Sequence, residues 1–161
     1  MTRPKDTPHP PRPGRALRHT RFSTQRWPKT LHEAVVYFSD PHTAFAEMVN
    51  FRWPDGVVRC PTCGSAQVYF IAAYWIWKCR TNHPRRQFSI KAGSIMENSK
   101  LGIDKWLIAV WLITNARSGV SSYELARAID VPQKSAWSML RRIRLAMQDE
   151  ETRSHRRARR A

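Results

Sequence analysis

Four residues have the types and spacing to hold a metal ion. Cys60-Pro61-Thr62-Cys63-Gly64 is a Cys-x2-Cys knuckle, which places two thiolates on one tight turn, with Gly64 free to reverse the backbone after it. Fifteen residues separate Cys63 from Cys79, and Cys79-x3-His83 supplies a second pair at a spacing zinc sites use. Cys60, Cys63, Cys79 and His83 form a Cys3His set for one Zn2+. Four protein ligands leave no open position for water, so the ion is structural rather than catalytic. His32 and His42 are the other histidines able to close the set, but they lie far upstream. Three cysteines make an odd count, which argues against a disulfide framework and for a reducing compartment.

A second group of residues suits nucleic acid. The stretch from Val120 to Trp137 reads as a helix-turn-helix: Ser122 to Ile129, a turn at Val131-Pro132, and a helix from Gln133 to about Met147. Leu125, Ala126, Ile129, Ala136, Leu140, Ile143 and Met147 are its expected inward positions. In this motif the second helix enters the major groove by its N-terminal end. Gln133, Lys134, Ser135 and Ser138 then lie nearest the bases, and Arg141, Arg142 and Arg144 reach phosphates. Arg85 and Arg86, between Cys79 and Phe88, are expected to add phosphate contacts.

The elements that carry these residues follow from local patterns. Leu31 to Phe38 is a short apolar segment, helix or strand. Asp40 is a good N-cap with Pro41 at the first helical position, and Trp53-Pro54-Asp55-Gly56 is a turn. Val68–Ile71, Tyr74–Trp77 and Phe88–Ile90 read as strands. Three short strands bury little surface, so something else must hold them. A helix from Asp104 to about Ala116 is apolar on nearly all sides, which predicts cover from a further domain or a second subunit. The expected fold is α+β: a small zinc-ribbon β-sheet followed by a three-helix helix-turn-helix region, with disordered basic tails. The divisions are a Pro/Arg-rich arm at 1–30, a helical lead-in at 31–54, the ribbon at 55–92, the helical region at 100–148 and a tail at 149–161.

Charge points the same way. The 161 residues carry 28 Lys+Arg against 12 Asp+Glu, net +16. Residues 31–140 contribute twelve cations and eight anions, so most of the excess lies at the ends. Such a balance suits polyanions, nucleic acid above all. The longest apolar run, Val68 to Trp77, is too short for a spanning helix, which needs about 20 residues. The basic N-terminus is followed by no apolar stretch of the kind a secretory signal carries.

The order of motifs resembles the N-terminal part of insertion-sequence transposases that begin with a transposase zinc ribbon, the ISXO-like group. The matching residues are Arg52-Trp53-Pro54-Asp55-Gly56, Cys60-Pro61-Thr62-Cys63-Gly64-Ser65, Trp77-Lys78-Cys79, Arg85-Arg86-Gln87-Phe88-Ser89, Gly93-Ser94-Ile95-Met96-Glu97, Lys105-Trp106, Gly119-Val120-Ser121-Ser122, Leu125-Ala126, Lys134-Ser135-Ala136-Trp137 and Arg142-Ile143-Arg144. The resemblance implies binding of double-stranded DNA at the ends of a mobile element. Many relatives close the zinc site with a second Cys-x2-Cys, where this chain has Cys79-x3-His83. In the family a ribonuclease-H-type domain follows, whose three carboxylates hold two divalent metals. After Gln148 this chain has Asp149, Glu150 and Glu151 and then arginines, so the expectation is a catalytically incomplete fragment with no catalytic residue. The expected partners are duplex DNA, a homo-oligomer or a hetero-oligomer with full-length transposase, and no membrane. The expected location is the bacterial cytoplasm, at the nucleoid. The competing readings are a stand-alone zinc-ribbon and helix-turn-helix regulator, or an RNA-binding zinc-ribbon protein.

Overall fold

The computed structural model describes residues 27–158, with side chains to Asp149; residues 1–26 of the expected basic arm lie outside the described residues. The elements are α1 (Leu31–Ser39), α2 (Pro41–Arg52), β1 (Val68–Ile71), β2 (Ile76–Cys79), β3 (Gln87–Ser89), α3 (Ile103–Asn115), α4 (Ser122–Ile129) and α5 (Gln133–Ala158). The strands form one antiparallel sheet in the order β1-β2-β3. This is the expected α+β architecture.

Leu31 to Phe38 is helical, and Asp40 ends α1 and begins α2. Its carboxylate accepts from the Thr43 N–H at 2.8 Å and from the Thr43 hydroxyl at 2.6 Å, with Pro41 at the first helical position. Those two bonds hold the Asp40 carboxyl below its usual range. Tyr37 donates to Glu47 Oε1 at 2.7 Å and pins α1 against α2; burial and that carboxylate push its phenol up to about 12.

The sheet differs from expectation in the bounds of two strands: β3 is Gln87–Ser89 rather than Phe88–Ile90, and β2 is displaced by two residues. β1 is as read, but β2 begins at Ile76 rather than Tyr74. Ala72–Tyr74 is a 3-10 turn, and Trp75 closes it in the left-handed region at φ 54°. The turn takes up the residues that otherwise read as strand. It sets Phe70, Trp77 and Phe88 side by side on one face. Phe45 of α2 stacks on Trp77 at 5.3 Å, and Trp53 meets its edge at 5.5 Å. The ribbon therefore has a small aromatic core shared with α2 as well as its ligand set.

α3 is the hub. Trp106, Leu107, Ile108, Ala109 and Trp111 are buried, and the helix contacts α1, α2, α4 and α5. The cover expected from a further domain or second subunit is supplied by α1 and α2 of the same chain. A spacing pattern shows that a helix must be covered and says nothing about which element does it. The Trp111 indole donates to the Pro28 carbonyl at 2.9 Å, and that of Trp106 to the Ser99 hydroxyl at 3.0 Å.

Three cations fix the segment that joins ribbon to α3. Arg52 donates to the Ile90 and Ala92 carbonyls, Lys91 to those of Ser99 and Leu101, and Arg142 to those of Ile95 (3.2 Å) and Glu97 (2.8 Å). Burial lowers the pKa of both Arg52 and Lys91. Gly93, at φ +70°, sits inside this joint: a Cβ there would lie 3.0 Å from Pro61 Cβ and 3.2 Å from Arg52 Nη2.

α4 opens with a capping box. The Ser121 hydroxyl accepts from the Glu124 N–H at 3.2 Å, and Glu124 Oε2 accepts from the Ser121 N–H at 2.8 Å. Ser121→Ala is expected to cost about 1 kcal/mol. The Ser121 N–H and hydroxyl lower the Glu124 carboxyl below its unfolded value. Its stabilisation is thus complete above the unfolded pKa and lost as pH falls through the folded one. Thermal melts should show wild type above Glu124→Gln at neutral pH and converging with it in acid; a gap independent of pH would refute the charge of Glu124 as a source of stability.

α5 departs from expectation at both its packing and its length. Ala136, Met139, Leu140 and Ile143 are buried, whereas Met147 is 48 % exposed. Met139 takes the place expected of Met147 because α5 extends past the helices it packs on. It runs on to Ala158 rather than ending at Met147 in a disordered tail. Gln, Glu, Arg and Ala, which dominate that stretch, are good helix formers, and no Gly or Pro interrupts it. Among the described residues no helix is long and apolar enough to cross a membrane.

Candidate metal centre and nucleic-acid face

The knuckle is built by backbone. Gly64 N–H donates to the Cys60 carbonyl at 2.8 Å, and Cys60 N–H donates to the Ser65 carbonyl at 3.0 Å. Gly64 has φ +72°, so the chain reverses there without strain. The other pair is placed by the sheet: Cys79 ends β2, and its N–H donates to the Arg86 carbonyl at 2.8 Å across the loop that carries His83.

The four ligand atoms all lie within 4.8 Å of one another. Cys60 Sγ is 3.5 Å from His83 Nε2, and Cys63 Sγ is 3.6 Å from Cys79 Sγ. A zinc tetrahedron with bonds of about 2.3 Å to sulfur and 2.0–2.1 Å to nitrogen has S···S edges near 3.8 Å and S···N edges near 3.6 Å. The donor set fits one structural zinc. His83 Nδ1 lies 2.5 Å from the Pro84 carbonyl, which can only accept, so Nδ1 carries the proton and Nε2 presents its lone pair to the sulfurs. His83, and neither His32 nor His42, is the histidine among the cysteines.

Electrostatics prepare the site for a cation. Burial pushes the Cys79 thiol up, but bonds from His83 and Thr81 outweigh it and hold the pKa at about 6. Cys60 is also lowered: burial opposes, and the Cys63 and Thr62 backbone N–H groups prevail. The Ser65 N–H favours the Cys63 thiolate, yet burial and the two neighbouring thiols raise its pKa overall. His83 is raised by its bond to Pro84 and by Cys79. Among the described residues this is the one grouping of three or more His, Cys, Asp or Glu side chains close enough to share an ion.

The expected DNA-facing residues divide into two sets. Lys134, Ser138 and Arg141 lie on the outward side of α5, with Lys134 and Arg141 exposed. Trp137, absent from the sequence-derived site, lies among them at 52 % exposure, and the Arg141 guanidinium sits over its ring at 5.8 Å. An apolar residue one turn from Lys134 and Arg141 on a basic face was the available signal. The other set is engaged within the fold. Arg142 binds the Ile95 and Glu97 carbonyls, and Arg144 donates to the Val120 carbonyl at 2.9 Å. Gln133 Nε2 donates to Ser122 Oγ at 2.9 Å, linking the two motif helices, and Ser135 is half-buried. Arg85 is exposed and Arg86 half-buried in the β2–β3 loop of the ribbon.

A three-stranded sheet with a Cys3His cluster joins through α2 and α3 to a pair of helices in helix-turn-helix order. Residues 39–81 match the transposase zinc-ribbon domain of the IS1595 type. Over 103 residues, 62 % of this chain, the sequence is 28 % identical to the "Uncharacterized protein in transposable element ISH50" of Halobacterium salinarum. The chain spans 33 % of that relative's length. No solved structure matches it. Residues 39–81 are therefore similar to the zinc-ribbon domain of transposases, the resemblance that the order of motifs implied.

Proposed function

We propose that the chain binds double-stranded DNA at the ends of an insertion-sequence element, with the N-terminal half of α5 in the major groove. The observation that carries this is the outward face of α5, where Lys134, Trp137 and Arg141 are exposed on a helix held by α4 in helix-turn-helix order. The transposase zinc-ribbon match and the relative's place in a transposable element support the same reading. Lys134 and Ser138 address base edges, Arg141 addresses phosphate, and Trp137 offers apolar contact of the kind a thymine methyl accepts. The zinc has no role in bond making: it holds the ribbon so that its cations keep a fixed place. The described residues supply no carboxylate set for two-metal chemistry, and the function assigned to them is binding.

Fluorescence anisotropy against duplex DNA at several salt concentrations tests this. Arg141→Ala should weaken binding to every duplex and lower the salt slope by roughly one unit, with the fold unaltered. Arg142→Ala should do the reverse. It should leave the slope unchanged and cost about 1.5–3 kcal/mol of stability, because charged hydrogen bonds to two carbonyls are lost. Lys134→Ala should shift sequence preference. Equal effects of Arg141→Ala and Arg142→Ala on the salt slope would mean that α5 meets DNA by another face. Preference for RNA over duplex DNA in competition would favour an RNA-binding ribbon instead, since an A-form major groove does not admit side-chain readout.

A further inference from the structure

The ribbon sheet has two unlike faces. Successive residues in a strand point to opposite sides, so the row Phe70, Trp77, Phe88 packs beneath α2 and the adjacent row Tyr69, Lys78, Gln87 faces away. Tyr69 is 41 % exposed, and the Arg80 guanidinium lies over its ring at 6.0 Å. Residues 56–96 contain no Asp or Glu; their cations are Arg59, Lys78, Arg80, Arg85, Arg86 and Lys91. Arg59 pairs with Asp55 at 2.6 Å, and Lys91 is bound to the Ser99 and Leu101 carbonyls. The other four belong to β2 or to the loop that leaves it at the Tyr69 end.

We infer that this outer face is a second nucleic-acid site, which takes an unpaired strand. A tyrosine ring flanked by cations, in a stretch of chain without Asp or Glu, is suited to stacking on a base while the neighbouring charges hold the phosphates. In a duplex the base faces are covered by their neighbours, so an exposed ring finds a stacking partner where the strand is unpaired. Gln87, in the same row, offers both a donor and an acceptor to a base edge. The inference rests on the reading of the chain as a nucleic-acid binder, but it uses a surface separate from α5. The ribbon would hold single-stranded DNA next to the duplex that α5 grips.

The test uses the zinc-loaded chain and three labelled probes: a blunt duplex, the same duplex with an oligothymidine overhang, and oligothymidine alone. Wild type should bind the overhang duplex more tightly than the blunt one, and bind oligothymidine measurably. Tyr69→Ala, with unchanged zinc content, should weaken both single-strand-containing probes by about fivefold or more and leave the blunt duplex unaffected. Tyr69→Phe should restore them. Equal affinity of wild type for blunt and overhang duplexes, or no change in Tyr69→Ala, overturns the inference while leaving duplex binding by α5 intact. Tyr69-dependent binding of oligothymidine without duplex binding would remove the α5 reading and uphold this one.

Discussion

Cys79→Ser is expected to release the zinc and unfold the ribbon while the helices persist. Structural zinc supplies roughly 10–16 kcal/mol of apparent binding free energy in small zinc modules, as much as the 5–15 kcal/mol that holds a whole domain. Three strands of three or four residues have no comparable reserve. What remains to them is the aromatic cluster around Trp77, and its partner Phe88 is on β3, which the ligand loop positions. Metal analysis should give one zinc per wild-type chain and none for Cys79→Ser or Cys60→Ser. Near-ultraviolet circular dichroism should lose the Trp77 environment, while the far-ultraviolet helical signal from α1, α3, α4 and α5 stays. His83→Cys should retain the metal, because four cysteines also close a zinc tetrahedron; His83→Ala should not. Zinc must meet thiolates and a neutral imidazole, so acidification competes with it. Bonds from His83 and Thr81 hold the Cys79 pKa at about 6. Zinc affinity should therefore fall steeply below that pH. Unchanged metal content in Cys79→Ser would refute the assigned ligand set.

The metal centre was legible because its determinants are local. Two residues between cysteines and a following glycine fix a knuckle whatever the rest of the chain does, and a pair on a strand end supplies the other half. The N-cap at Asp40 was legible for the same reason. The register of β2 was not: Tyr74 and Trp75 have strand-forming side chains, and only the pairing of Trp77 with Phe70 and Phe88 shows that they turn instead. The face of α5 was half legible. An arginine that faces solvent and one that binds a carbonyl look alike in sequence. Arg141 and Arg142 are adjacent, and the rotation of the helix sends one to solvent and the other to the loop at Ile95 and Glu97. Ring contacts such as Arg80 on Tyr69 depend on cross-strand placement, which spacing alone does not reveal.

Trp106→Ala should destabilise the helical part more than any surface change and should not abolish DNA binding at low temperature. Trp106 is 1 % exposed near the N-terminal end of α3, the helix against which α1, α2, α4 and α5 all pack. Removing a buried indole leaves a cavity that a hub helix cannot fill, since four neighbours would have to shift together; such losses run to about 3–5 kcal/mol. Against a total of about 5–15 kcal/mol this approaches the limit of what a small domain survives. The indole also ties the joint to the helix: Ser99 Oγ accepts from Trp106 Nε1 at 3.0 Å and from the Leu101 N–H at 3.3 Å, while the Ser99 carbonyl accepts from Lys91. Trp106→Phe keeps most of the volume and loses only the first of these bonds, so it should cost clearly less. Urea titration of both variants separates the two contributions. If Trp106→Ala shifts the unfolding free energy by less than about 1 kcal/mol, α3 is not the shared core. The α5 face and the ribbon would then be joined only through the three cation-bound carbonyl pairs between Ile90 and Leu101, and a loose joint could not hold a duplex and an unpaired strand in fixed relation.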